Sequence, residues 1–439
     1  MTRRRQSGSI LVLTLWLAAG LAAAALLTGH ATVLRQRRAA DATAALAAEH
    51  AVEGVLRYVI EVLAAAPRQD ELPEAGTYEA ADIEVGGCRV WLLGEDHDLD
   101  DSEPSFGLQD EAGRLNLNSA PLEWLEALPG MTAELAAAIV DWRDSDAEPL
   151  PNGAESETYL ALDPAYVAKD APFESVGEMH LLNGADRRLF QGLDRNRNGL
   201  LEAWERDLQE DGAGRFEDTP DRGLMALLTV HSRAAASAGA GSEAPVDLNG
   251  DANAVRRLLN ELFGERAVAI AGAAGVGTSR FDSVLAFCLR GGLDDAEAER
   301  LWDRVTVGDR AATSPLNVAT ATAAALACLP GVGPDRAEDL VAYRESHAGT
   351  MRTPLWLATA LDTDTALAAG PQVTARSWQV AADIVAVSPS GRAFRRVRYV
   401  LDRRQDRPVV VSRRDLTHLG WPLGEALRRE TMTISREDS

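Results

Sequence analysis

Residues Asp194 to Glu205, Asp194-Arg-Asn-Arg-Asn-Gly-Leu-Leu-Glu-Ala-Trp-Glu, are the stretch whose types and spacing suit the holding of an ion. Asp194, Asn196 and Asn198 offer side-chain oxygens at alternate places of a twelve-residue loop. Gly199 follows where such a loop must turn sharply. Leu200 offers its backbone carbonyl, Glu202 a further carboxylate, and Glu205 closes the loop with two oxygens. A hard cation needs several oxygens converging from a tight turn, and this alternation supplies them. The loop is read as a structural Ca2+ site, in which an ion fastens a segment that would otherwise repel itself. Only three of the side-chain ligands are carboxylates, which suits a modest affinity at extracellular calcium levels. Asp207, Glu210, Asp211, Glu217 and Asp218 lie just beyond and offer oxygens for a second ion or in place of Glu202. The competing reading is an Asn-Gly turn before a solvated acidic helix.

Other chemistry has little support in the residues. There is no HExxH, P-loop, GxSxG or Cys/His pairing, and the seven histidines are scattered. No catalytic residues are assigned and the chain is not read as an enzyme. The three cysteines, Cys88, Cys288 and Cys328, have no metal-pair spacing. One disulfide would still leave a free thiol, and small buried residues are the simpler reading. The formal net charge is -23, which argues against nucleic acid or an anionic membrane surface as a partner of the main body. The acidic run Glu95–Glu103 reads as a solvated loop, and Asp247–Asn253 as a helix cap rather than an ion site.

The elements that must position the loop are mostly helical. From Asp110 to about Gly370 the pattern is that of helices, broken by polar loops at Ser145–Ser156 and Ser232–Pro245. Within it, Leu115–Asp144 matches Pro315–Glu345: an Asn-led cap, a helix, Leu-Pro-Gly, and a second helix ending in aromatic-Arg. In the first copy the helices are predicted at 122–128 and 132–143, with Asn118 or Ser119 as cap and Pro121 near the first turn. The two copies resemble the helix-hairpin-helix, or SAM-like, motif. Such a hairpin can bind phosphate through backbone N–H groups at a helix start. Here Glu123, Glu126, Glu134, Asp141 and Asp144 crowd the first copy, and Asp335, Glu338 and Asp339 the second, so a structural use is favoured.

Strands flank this block. Tyr78–Val85 and Cys88–Gly94 read as a hairpin around Gly86-Gly87. Ser377–Val387, Ala393–Asp402 and Pro408–Ser412 read as further strands, the middle one alternating arginines with apolar residues as on a sheet with one wet face. Two strands make a poor sheet alone. The expected fold is therefore α+β: a long amino-terminal helix with an antiparallel sheet, interrupted by a large all-α insertion. The expected divisions are a leader at 1–8, the helix at 9–66, the first part of the α/β domain at 67–109, the insertion at 110–370 and the last part of the α/β domain at 371–439. Three beads on a string are the alternative.

The amino terminus opens Met-Thr-Arg-Arg-Arg-Gln-Ser-Gly, then runs from Ser9 without a formal charge to Arg35. That run is long enough to cross a bilayer as a helix. The arginines would keep the short end cytoplasmic and place the rest outside the inner membrane. A cleaved secretory signal and a plain signal anchor are possible readings. A third is a prepilin leader cut between Gly8 and Ser9, favoured because the helical pattern continues without a breaker to about Ala65.

Leader, helix, hairpins and terminal strands together resemble the type IV pilin and type II secretion pseudopilin superfamily. With Ser9 as first mature residue, the fifth is Leu13 where most members carry Glu. A subunit lacking that carboxylate cannot pair with a neighbour's free amino terminus. This absence, the phrases at Pro172–Leu182 and Gly223–Ser232, and the bulky helical block resemble the K-class minor pseudopilin of type II secretion. Ser9 stands where Phe or Met is commoner, which bears on N-methylation. The resemblance implies a subunit capping the tip of a periplasmic pseudopilus and helping to start its assembly, with calcium in its helical domain. It implies minor pseudopilins I and J, the prepilin peptidase, the major pseudopilin and exported substrates as partners. It also implies a single pass through the inner membrane, with the main body periplasmic. A membrane-anchored helix-hairpin-helix protein of DNA uptake and a minor pilin of a type IV pilus are the alternatives.

Overall fold

The computed structural model describes residues 7–94, 104–210, 222–234, 244–308, 314–347, 351–405 and 407–437. Its first element is one helix, α1 (Ser7–Ala65). Two halves of this helix have different surroundings. Residues 11–43 are exposed throughout, and the most apolar window, with mean hydropathy 2.2, has none of its residues buried. From Ala44 onward one stripe turns inward: Ala48, Ala51, Val52, Val55, Val59 and Leu63. Steps of three and four keep these residues on one face of the helix.

That stripe covers an antiparallel sheet. Its strands are β1 (Ile83–Val85), β2 (Cys88–Leu93), β3 (Gln109–Asp110), β4 (Gln379–Val387), β5 (Phe394–Asp402) and β6 (Val409–Asp415). The order is β1-β2-β4-β5-β6, with β3 also on β4. β2 pairs with β4 from Asp383↔Leu93 to Val387↔Arg89, so chain from before and after the helical block meets in one sheet. The first strand is shorter than the sequence pattern suggests. Asp82 takes a left-handed φ of 55°, which breaks the ladder before Ile83. The Tyr78 hydroxyl instead accepts from Leu108 N at 2.8 Å.

The expectation of one wet sheet face is corrected. β4 is buried at all nine positions. Val380, Ala382, Ile384 and Ala386 face α1, while Val385 and Val387 pack with Trp91, Leu93 and Leu423 on the other side. The β5 arginines do not reach into solvent there. Arg396 is 1% exposed and pairs with the equally buried Asp383 at 2.8 Å. The alternation in β5 is therefore real, but it points arginines at carboxylates and carbonyls of the helical block. β6, at the edge, is exposed along most of its length.

The helical block begins and ends at a buried knot. Asp110 accepts from Ser377 Oγ and Thr320 Oγ1, both at 2.6 Å, and from Asn317 Nδ2 at 2.7 Å. Burial raises its pKa. Three two-residue parallel pairs then open successive helical units: Leu115–Asn116 on Leu228–Thr229, Val246–Asp247 on Val305–Thr306, and Leu316–Asn317 on Val373–Thr374. The first and third lead into the two hairpins. These are α2 (Leu122–Glu126) with α3 (Ala133–Arg143), and later α6 (Ala323–Ala327) with α7 (Gly333–Ser346). Among the several helices between them are α4 (Ser156–Leu160) and α5 (Ala203–Glu210). The terminal arginines do the same work in both hairpins: Arg143 donates to Leu117 O and Ala120 O, and Arg344 to Val318 O and Ala321 O. The aromatic-Arg ending is thus a tie from the second helix back to the turn before the first, whose N-cap is Pro121 rather than the expected Asn118 or Ser119, and Thr322 in the second copy. All three cysteines are buried free thiols.

A candidate cation loop locked to the sheet

The loop at 194–205 is built by its own side chains. Asp194 Oδ1 accepts from Asn198 N at 3.0 Å and Oδ2 from Gly199 N at 2.8 Å. Asn196 Oδ1 takes Asn198 N at 3.0 Å, and Asn198 Oδ1 takes Leu200 N at 2.8 Å. Short Asx side chains at alternate positions therefore wind the backbone into successive turns. Gly199 sits at φ +81°, and a Cβ there would lie 2.6 Å from the Arg222 guanidinium. The positive φ favours glycine there, while the Arg222 guanidinium, at the end of a flexible side chain, could move aside.

Glu205, from the first turn of α5, closes the loop. Oε1 accepts from Arg195 N at 2.7 Å and Asn196 N at 3.3 Å, and Oε2 from Glu202 N at 3.0 Å. Asp194, Asn196, Asn198 and Glu205 are all buried. Burial pushes Asp194 up, and pushes Glu205 up to about 7, with the nearby Asp194 charge adding to it. Asn198 Nδ2 is buried without a partner. Two sequestered carboxylates beside two amide oxygens are a donor set for a hard, oxygen-seeking cation. A Ca2+ here would draw its side-chain oxygens from Asp194, Asn196, Asn198 and Glu205, each of which accepts backbone N–H groups in this structure.

Glu202 stands apart from that set. Its Oε2 accepts from exposed Trp204 Nε1 at 2.7 Å and from Asn196 Nδ2 at 3.0 Å. The Leu200 side chain is buried. Of the further acids, Asp211, Glu217 and Asp218 lie outside the described residues, as do the side chains of Asp207 and Glu210.

What the sequence did not disclose is how the loop is held. Arg396 sits on β5 and forks onto Asp383 of β4, with Nε to Oδ1 at 3.0 Å and Nη2 to Oδ2 at 2.8 Å. The same guanidinium donates to Asn196 O and Arg197 O, each at 2.5 Å. One planar donor group thus ties two strands to the loop backbone. A signal existed in Gln379–Val387, where Asp383 is the one acid in an otherwise apolar strand. A charge in such a place requires a buried partner.

A neighbouring cluster continues the seam. Buried Glu111 pairs with Arg398 at 2.8 Å and Arg114 at 3.2 Å and accepts the Thr229 hydroxyl. Burial alone would raise its pKa, but Arg114 and Arg398 outweigh that and lower it to about 2. Between seam and loop lies a cavity of about 140 Å³ lined by Glu111, Arg197, Arg222, His231, Arg398 and Arg414 among others.

Residues 113–196 match the family model of type II secretion system protein K, first domain. A relative, the type II secretion system protein K of Klebsiella pneumoniae, is 44% identical over 78 residues, 18% of this chain and 22% of that protein. Over this segment the chain is similar to type II secretion system protein K. The alignment spans about a fifth of the curated relative's length. The matched segment holds the first hairpin and α4, and ends at Asn196, inside the cation loop. A solved structure, the GspK-GspI-GspJ complex of the enterotoxigenic Escherichia coli type 2 secretion system, shows 11% identity. It has a TM-score of 0.42, over 87% of this chain and 99% of that one. At that score the likeness carries no functional conclusion. The α+β class rests on this chain's own helix, sheet and helical block.

Proposed function

We propose that this chain is a minor pseudopilin of the protein K type, acting at the tip of the periplasmic pseudopilus of a type II secretion system. The observation that carries the reading is the protein K match over residues 113–196 in a chain whose α1 is bare over its apolar half and packed over the other. A helix of that form can pass from lipid into a filament while its lower half stays fixed to a folded head. Under this reading the prepilin peptidase cuts between Gly8 and Ser9. The segment from Ser9 to about Leu34 anchors in the inner membrane, with its arginines cytoplasmic and the body periplasmic. Leu13 supplies no carboxylate for a neighbour's amino terminus, which suits a subunit with nothing stacked above it. The helical block adds bulk to the head, which suits the same place. Minor pseudopilins I and J are the partners the relationship suggests. Ca2+ in the 194–205 loop would hold two buried carboxylates together and secure the loop against Arg396.

Coexpression with a prepilin peptidase, followed by mass spectrometry of the amino terminus, tests the reading. The expected mature chain begins at Ser9, and Gly8→Ala blocks processing. A chain that begins beyond Leu27, or stays uncut with an active peptidase, refutes it.

A further inference from the structure

The chain as a whole is strongly negative, at -23, yet one recess in its head is crowded with positive charge. The cavity between the sheet and the 194–205 loop is lined by six arginines and three carboxylates. All three carboxylates are already engaged. Glu111 holds Arg114 and Arg398, and Asp383 holds Arg396. Asp194 turns both its oxygens to backbone N–H groups of its own loop.

Arg197, Arg222 and Arg414 therefore face the cavity with no acid paired to them among the described residues. The Arg197 guanidinium donates only to a thioether, Met225 Sδ, at 3.0 Å. Arg222 reaches Gly199 O at 3.4 Å, a long contact, and its Nε is buried without an acceptor. Arg414, on β6, has no side-chain hydrogen bond or ion pair among the described residues. It runs close under the turn at Val176–Leu181, where a Cβ on Gly177 would lie 3.2 Å from its Nη2. Glu178, whose charge reaches Arg414, is itself held by Lys169 at 2.9 Å.

These three arginines come from a loop, from the residue two before Leu224 and from an edge strand, so no single run of sequence explains their meeting. Their meeting is costly. Burial pushes Arg197 down to about 10, and the charges of Arg414, Arg396 and Arg398 push the same way. Burial and Arg398 also lower Arg414. A guanidinium keeps its proton even so. The repulsion is therefore not relieved by titration, and an anion is what relieves it.

The guanidinium is a planar fork that matches pairs of oxygens on one centre. Forks arriving from several directions need an ion with oxygens on every side, which a tetrahedral oxyanion has and chloride lacks. The cavity, at about 140 Å³, far exceeds the roughly 10–15 Å³ that a single water needs. Its free arginines are half-buried, which leaves a way in from solvent.

We propose that this cavity binds one tetrahedral oxyanion of the phosphate or sulfate class, held by Arg197, Arg222 and Arg414 with Arg398 beside them. The ion joins the 194–205 loop to β6, two parts that otherwise present like charges to each other.

The test is calorimetric titration of the full chain in detergent with sodium phosphate, and separately with sodium sulfate, at constant ionic strength set by sodium chloride. Wild type should show saturable binding of one ion per chain. Arg197→Met and Arg414→Met should each weaken it at least about tenfold, the worth of one charge-assisted hydrogen bond. Arg414→Lys, which keeps the charge but loses the fork, should fall between. Arg407→Met, at an exposed arginine outside the cavity, should bind as wild type does. Melting without added oxyanion separates binding from folding: Arg414→Met should melt at or above wild type, because it removes a repelled charge and keeps an apolar stem. Phosphate should then raise the Tm of wild type and not that of Arg414→Met. No saturable binding by wild type overturns the proposal. So do Arg197→Met and Arg414→Met proteins that both bind as wild type does, or an equal loss in Arg407→Met.

Discussion

Replacing Arg396 tests whether the sheet and the cation loop form one energetic unit. Arg396→Ala removes a two-pronged bond to Asp383 and two bonds to the carbonyls of Asn196 and Arg197. Asp383 is 2% exposed, so its charge would be left buried and alone. Breaking one side of such a pair costs about 3–5 kcal/mol. Each orphaned carbonyl adds about 1 kcal/mol where water cannot reach it. The sum is about 5–7 kcal/mol, or a fall in Tm on the order of 10–14 °C at roughly 2 °C per kcal/mol for a body of this size. Arg396→Lys should recover little, because a single ammonium cannot span a carboxylate and two diverging carbonyls. The double variant Arg396→Met with Asp383→Leu should recover most of the loss, since apolar residues of similar volume often replace a buried pair at little cost. Thermal and urea unfolding of the full chain in detergent, followed by circular dichroism, reads these proteins together with the Arg396→Met and Asp383→Leu single variants. An Arg396→Ala protein within about 1 kcal/mol of wild type would refute the reasoning. So would a double variant as unstable as the two single variants added together.

Three further outcomes follow from the same geometry. Glu111 has its folded pKa lowered to about 2 from an ordinary 4.5. Its contribution is therefore present above pH ~4.5 and is lost as pH falls through 2. The difference corresponds to about 3 kcal/mol, and Glu111→Gln should flatten the fall in urea midpoint between pH 4.5 and 2; an unchanged slope counts against the pairing. Calcium at roughly a hundred times its dissociation constant adds about 2.7 kcal/mol at a single site. Glu205→Gln should remove one such increment from the calcium-dependent rise in Tm, and an undiminished rise would tell against the 194–205 loop. Leu63→Ala, under the sheet, should cost about 2–5 kcal/mol. Leu21→Ala, on the bare half of α1, should change unfolding of the body by no more than about 0.5 kcal/mol, and equal effects would contradict the division of the helix.

The parts of this protein that could be read from sequence are those whose physics is local. The long helix ends at Ala65, as its periodicity suggests, because the apolar stripe from Ala48 to Leu63 repeats at helical spacing. The late strands fall at 379–387, 394–402 and 409–415, within a few residues of their apolar runs. Asx side chains at alternate positions specify the turns of the 194–205 loop without help from elsewhere. What could not be read is which face of the sheet is wet. An arginine at every second position of a strand has the same pattern whether it meets water or a buried carboxylate. Deciding between them needs to know what lies above the strand, and that is chain 200 residues away in the case of Arg396 and Asn196.

The same argument explains why Glu155 escaped notice while Asp194 did not. Asp194 binds its neighbours four and five residues on, so its purpose is written in adjacent letters. Glu155 meets Asp144 across a loop whose path depends on a third carboxylate, Asp141, and on Gly153 having no side chain. A charged residue inside such a fold carries a cost that local propensity does not record. Both oxygens of Glu155 are buried without a side-chain donor among the described residues, a circumstance that only the folded loop creates.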